Sequence, residues 1–156
     1  MSKRDNCGVR RLVNFPVYNS LGIAIIEGPN WCEIRSATAV ALVPQDGRVS
    51  LLVSTQGIEH LRWLRAMRAD DLHAISFAGE RGMTDYHIEY LAGMTALIEL
   101  DLTDTLISDR SIFLLSSLTS LERLKLRGSC MSYAGTQKLK LALPQCTIQS
   151  DWGEPS

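Results

Sequence analysis

Four cysteines, three histidines and the Trp31-Cys32-Glu33 run are the residues of this chain whose types could carry nucleophilic or metal chemistry. Cys7, Cys32, Cys130 and Cys146 form no C-x-x-C pair, so they suit neither a zinc knuckle nor a redox dithiol. They read as buried or half-buried thiols of a reducing compartment, packing as small hydrophobes. His60, His73 and His87 make no H-x-x-x-H pair and no evident dyad with a cysteine. The expectation is a protein without catalytic residues, metal or cofactor. An enzyme with a site near Trp31, Cys32 and Glu33 stays open as the alternative, and an unusually reactive, low-pKa thiol at Cys32 would favour it.

Arg62, Arg65 and Arg68 recur every three residues around Trp63, a pattern that a phosphate backbone could use or that a solvated helix face would show. A formal net charge of −1 and a pI near 6.3 argue against a general polyanion binder. Nucleic acid is therefore not expected as a partner. The longest apolar stretches, such as Ala37 to Val43, fall far short of the ~20 residues that span a bilayer. MSKRDNCGVRRL has basic residues without an apolar region behind them, so no secretory signal is expected and the cytoplasm is the expected compartment. Those first dozen residues read as loosely ordered.

The elements that must position any site follow from a repeat. With 156 residues, 46% of them hydrophobic and 21% charged, the chain can bury a substantial core. Leu97, Leu100 and Leu102 recur as Leu121, Leu124 and Leu126, an offset of 24 that persists from Thr105 to Ser129, Ile107 to Met131, Ser108 to Ser132 and Leu115 to Leu139. One period earlier, at an offset of 25, stand Leu72, Ile75 and Phe77, followed by Met83-Thr84-Asp85 against Ile107-Ser108-Asp109. The extra residue falls in the Glu80-Arg81-Gly82 turn, and a truncated return appears at Leu143 to Ile148.

Each L-x-x-L-x-L block reads as a short strand with its leucines inward. Each following stretch reads as a short helix, with Thr84-Asp85 and Ser108-Asp109 supplying N-cap chemistry. Ile88, Leu91 and Met94, then Ile112, Leu115 and Leu118, form the buried stripes. The third helix has Tyr133 in place of Asp109 and Thr136 in place of Ile112, which blurs its start.

These blocks resemble the leucine-rich-repeat family, in particular short bacterial repeats of the form L-x-x-L-x-L-x-x-T-x-I-[ST]-D that end in L-P-x-C-x-I. The resemblance covers Leu72 to Ile148. It implies an α/β fold: a short solenoid of about three turns, with a parallel sheet whose concave face, and sometimes its loops, meets protein partners. In the first turn Glu80 or Arg81 stands at the Asn/Thr/Cys position, which departs from the family pattern.

Before the repeats, Gly22 to Ile26, Thr38 to Val43 and Arg48 to Val53 read as strands, with a turn at Pro44-Gln-Asp-Gly47 between the last two. Together they are expected to form an N-terminal β cap over residues 1–57, leading through a helix from Ile58 to Arg68 into the solenoid of residues 58–156, as one continuous domain.

The outward strand positions are Ala74, Ser76 and Ala78, then Glu99, Asp101 and Thr103, then Arg123, Lys125 and Arg127. The offset of 24 sets Glu99 beside Arg123 and Asp101 beside Lys125, close enough to pair. Such a face either neutralises itself or orients a charged partner. On the helices, Ile112 to Leu115 are four consecutive apolar residues that cannot all face inward, so Phe113 or Leu114 should protrude as a convex contact. The expected function is a protein-binding module using Ser76, Glu99, Asp101, Thr103, Arg123, Lys125 and Arg127. Self-association and a structural role in a larger assembly remain open, with the edge strand near Ile148 as one contact and the Asp151-Trp152 tail as its alternative cover.

Overall fold

The computed structural model describes residues 9–152. Within them the strands, in chain order, are β1 (Arg10–Asn14), β2 (Gly22–Gly28), β3 (Trp31–Ser36), β4 (Val40–Pro44), β5 (Arg48–Val53), β6 (Ala74–Ser76), β7 (Glu99–Asp101), β8 (Arg123–Lys125) and β9 (Thr147–Gln149). The α-helices are α1 (Thr55–Ile58), α2 (Ile112–Ser116) and α3 (Tyr133–Ala142), and 3₁₀ turns cover Leu61–Ala66, Asp85–Leu91 and Asp109–Ser111. The result is an α/β fold with a mixed, largely parallel seven-stranded sheet, order β3-β2-β5-β6-β7-β8-β9, and a separate two-stranded sheet of β1 and β4.

The 24- and 25-residue offsets are the register of the parallel strands. Ile75 lies opposite Leu100, Leu100 opposite Leu124, and Leu124 opposite Ile148. Leu72, Phe77, Leu97, Leu102, Leu121 and Leu126 are buried with them, so every turn of chain places its three apolar positions in one core. The offset of 24 also continues backwards, because β5 pairs in parallel with β6 through Leu51 and Ile75. Arg48 stands where the first leucine of that block would be, which hid this strand's membership from the motif.

The Gly22 run and the Arg48 run both belong to the seven-stranded sheet, at the end that precedes the repeats, and are extended there by a strand over Trp31–Ser36 that the sequence pattern does not mark. The third expected strand begins later than Thr38, at Val40, and pairs antiparallel with Arg10–Asn14. Part of the segment read as loosely ordered is thus a strand, held because Val13 and Phe15 are buried and because Arg11 donates to Asp71 at 3.1 Å. Residues 1–8, Cys7 among them, lie outside the described residues. Asp71 is only 2% exposed and also accepts from the Arg68 backbone N–H, so it ties the small sheet to the entrance of the repeats. The Pro44–Gly47 turn closes with the Gly47 N–H donating to Pro44, but it joins strands of different sheets.

The segment expected as one helix from Ile58 to Arg68 begins where the short helix Thr55–Ile58 ends and contains the 3₁₀ turn Leu61–Ala66. Ile58, Leu61, Leu64 and Met67 are all buried. Their spacing of three matches the 3.0 residues per turn of a 3₁₀ helix better than 3.6. The same spacing at Ile88, Leu91 and Met94 accompanies the 3₁₀ turn Asp85–Leu91. The third repeat, whose start was blurred in sequence, carries the longest helix. Ser132 caps it by accepting from Gly135 N–H, and Thr136 is buried at the Ile112 position by donating its hydroxyl to the Ser132 carbonyl.

Asp85 and Asp109 act between turns. Asp85 accepts the Ser108 N–H at 2.8 Å, the Ser108 hydroxyl at 2.6 Å and the hydroxyl of buried Ser111. Asp109 accepts the Ser132 N–H at 2.8 Å and the Ser132 hydroxyl. Each [Thr/Ser]-Asp pair therefore contributes its hydroxyl residue to its own turn and its carboxylate to the next. At the corresponding position Tyr133 packs edge-on against Trp152, whose indole N–H donates to the Met131 carbonyl. Asp151 likewise accepts the Gly128 N–H, so the tail closes over the last turn.

Candidate functional site

Side chains between the buried leucines emerge on the opposite face of the seven-stranded sheet. Strand pairing orders them into two rows. One runs Ile34, Ile25, Ser50, Ala74, Glu99, Arg123, Thr147. The other runs Ser36, Ile23, Leu52, Ser76, Asp101, Lys125, Gln149. The face therefore has two parts: an apolar block of Ile23, Ile25, Ile34 and Leu52 at one end, and a charged ladder from Glu99 to Lys125 toward the other. Leu52 is 42% exposed and Ile34 70% exposed, which is unusual for aliphatic side chains standing together.

The ladder is connected. Arg123 donates to Glu99 through two nitrogens, at 2.8 and 3.1 Å, and Lys125 lies 3.2 Å from Asp101 and 3.4 Å from Glu99. The hydrogen bonds from Arg123 hold the Glu99 carboxyl below its ordinary value despite some burial. The bond to Asp101, aided by both neighbouring carboxylates, raises Lys125. The four charges satisfy one another first, and water screens what remains.

Ser76, Glu99, Asp101, Arg123 and Lys125 thus share the face that their spacing implied. Thr103 and Arg127 do not continue the strands. The Thr103 N–H turns back to Asp101, and the Arg127 carbonyl accepts from the Asp104 N–H of the preceding turn. Of Phe113 and Leu114, Phe113 protrudes at 84% exposure, whereas Leu114 is half-buried against the core. The aliphatic block was not identified in the sequence. Ile23, Ile25 and Leu52 alternate with buried Ala24, Ile26, Leu51 and Val53, so the runs read as apolar throughout and did not betray which face stays open.

The alternative region in the first half divides between two faces. Trp31 and Glu33 line an open groove of about 830 Å³ with Arg10, Leu42, Pro44 and Asp46. Cys32 points to the other side of β3, opposite Glu27. Trp31 is partly exposed rather than packed in the core. The thiols are more open than their composition implied: Cys32 and Cys130 are exposed, and Cys146 is half-buried, where burial pushes its thiol up. No cluster of three or more His, Cys, Asp or Glu suited to a metal ion occurs among the described residues.

No protein-family model and no curated protein matches the sequence. Among the described residues no helix is long and apolar enough to cross a membrane. The arginine row is dispersed. Arg65 pairs with Glu89 at 3.3 Å and lies over the Tyr90 ring, while the Trp63 indole N–H reaches the Asn14 carbonyl of β1.

Proposed function

We propose that the chain is a short leucine-rich-repeat solenoid with an N-terminal β-rich extension, and that the open face of its sheet binds another protein. The observation that carries this reading is the aliphatic block of Ile23, Ile25, Ile34 and Leu52, which shares the sheet face with the charged ladder. A protein surface with the opposite pattern, an apolar contact flanked by polar groups that can exchange with the ladder, fits this division. The aliphatic block supplies contact energy through burial, and the ladder selects orientation. The leucine-rich-repeat resemblance and the consecutive parallel strands at offsets of 24 and 25 support the solenoid assignment.

The test is capture from the native lysate with three immobilised forms: wild type, Leu52→Glu, and Arg123→Glu combined with Lys125→Glu. Proteins that bind through this face are retained by wild type and lost from Leu52→Glu. The charge-reversed form retains them more weakly and with steeper salt dependence. Identical retention by all three forms overturns the assignment of this face.

A further inference from the structure

The two edges of the seven-stranded sheet differ. The β9 edge is three residues long and follows Pro144 closely, and the chain then folds back so that Asp151 and Trp152 reach the preceding turn. Short edge strands are a common protection against pairing with other chains. β3 at the opposite edge is six residues long, contains no proline, and has five of its six residues exposed. Among the described residues it pairs only with β2.

The hydrogen-bond phase of this edge follows from the ladder. The Ala37 N–H donates to the Gly22 carbonyl, and the two residues stand opposite one another in the β2–β3 register. Antiparallel pairs alternate between bonded and non-bonded positions, so Arg35, Glu33 and Trp31 turn their backbone groups toward β2. The N–H and C=O of Cys32 and Ile34, and the N–H of Ser36, point off the sheet. The Ser36 carbonyl is engaged by Thr38 N–H.

We infer that β3 pairs antiparallel with β3 of a second copy of this chain, about a two-fold axis at Ile34. This register is self-complementary at every level. Ile34 meets its own copy as a hydrogen-bonded pair, with both residues offering outward backbone groups, and the Ser36 N–H of one copy reaches the Cys32 carbonyl of the other. Glu33 then stands opposite the second copy's Arg35, and Arg35 opposite the second copy's Glu33. These are the non-bonded positions, where side chains across an antiparallel pair come closest.

Glu33 and Arg35 are on the same face and already lie 3.7 Å apart within one chain. In the pair they become an alternating square of four charges. On the other face Ile34 joins the two aliphatic blocks into one. A shift by one residue would set side chains of opposite faces against each other, and a shift by two would lose the Glu33–Arg35 matches, so one register is favoured. The charge pattern selects a second copy over an unrelated strand, because any partner must present an acidic and a basic residue two apart in the reverse order, as this strand does to itself.

The experiment is size-exclusion chromatography with light scattering on four samples of the full chain. Wild type is expected at about twice its 17.3 kDa. Glu33→Lys alone and Arg35→Glu alone are each expected as monomers, since each places like charges opposite one another twice. An equimolar mixture of these two variants restores the doubled mass. Across that heterodimer the introduced lysine faces the introduced glutamate, and the native Arg35 of one chain faces the native Glu33 of the other. The mixture uses the same folded proteins, so its recovery separates loss of pairing from loss of fold. A monomeric wild type, single variants that remain dimeric, or a mixture that stays monomeric each overturns the inference.

Discussion

Replacing Asp85 by alanine tests whether the carboxylates hold successive turns together. Asp85 accepts three hydrogen bonds from the next turn, and one donor, the Ser111 hydroxyl, is buried. A hydrogen bond to a charged group contributes about 1.5–3 kcal/mol net, and a buried hydroxyl left unpaired costs about 1–3 kcal/mol. The three bonds share one acceptor and are not additive, so Asp85→Ala should cost about 3 kcal/mol. Asp109 makes only two such bonds, both to Ser132 at an exposed position, and Asp109→Ala should cost about 1 kcal/mol.

Urea unfolding followed by circular dichroism measures both. With a slope of about 2 kcal/mol/M, the midpoint should fall by about 1.5 M for Asp85→Ala and by about 0.5 M for Asp109→Ala, the slope itself unchanged. Adding Ser111→Ala to Asp85→Ala removes the stranded hydroxyl, so the double variant should lose less than the sum of the singles. Acid gives an independent reading. Burial pushes the Asp85 carboxyl up, but the Ser108 and Ser111 hydrogen bonds outweigh it and leave it below 3.8. A depressed carboxyl stabilises the fold fully above its unfolded value and loses that contribution as pH falls through the folded one. The wild type should therefore weaken below pH 3.8 more steeply than Asp85→Ala. An Asp85→Ala effect no larger than that of Asp109→Ala would mean that the Asp85 carboxylate does not hold the two turns together.

Gly128 has φ +67° and sits where a Cβ would run into the Asp104 carboxylate of the turn before, so Gly128→Ala should cost about 1–3 kcal/mol in the same urea assay. Gly79→Ala, at φ +81° but with open space around it, should cost less. The His73 ring accepts the Val49 N–H through Nδ1, and burial, together with Arg11 and Arg48 and against Asp70 and Asp71, lowers its pKa below 6.5. Its contribution is complete above pH 6.5 and is lost as pH falls through the lowered value. Stability measured from about pH 7.5 to about pH 5 should decline there, and His73→Asn should flatten the decline.

Much of the repeat architecture was legible because it is local and periodic. Three leucines at fixed spacing in each turn of chain must share a face, and an offset of 24 puts Glu99 beside Arg123 and Asp101 beside Lys125 whatever lies around them. The protruding residue of the Ile112 to Leu115 run was legible as a choice between two side chains, and packing made it Phe113. What lay beyond reach was pairing between segments with no shared pattern. Arg10–Asn14 shows no alternation, with Arg10-Arg11 followed by Leu12-Val13, and becomes a strand only because β4 and the buried Asp71 meet it. Trp31–Ser36 is a strand because β2 offers a free edge. The three-residue spacing of the apolar stripes was visible in the sequence, but whether it meant 3₁₀ turns depended on how closely each turn packs on the next.

Residue order alone was enough for the period, the inward leucines and the charge pairs, since each follows from spacing along one strand or between matching repeats. That the Gly22 and Arg48 runs of the first half join the same sheet, and the run between them a different one, was settled only once the chain had folded. Burial of one face leaves the other open, and a run that is apolar on both faces carries no mark of which will be covered.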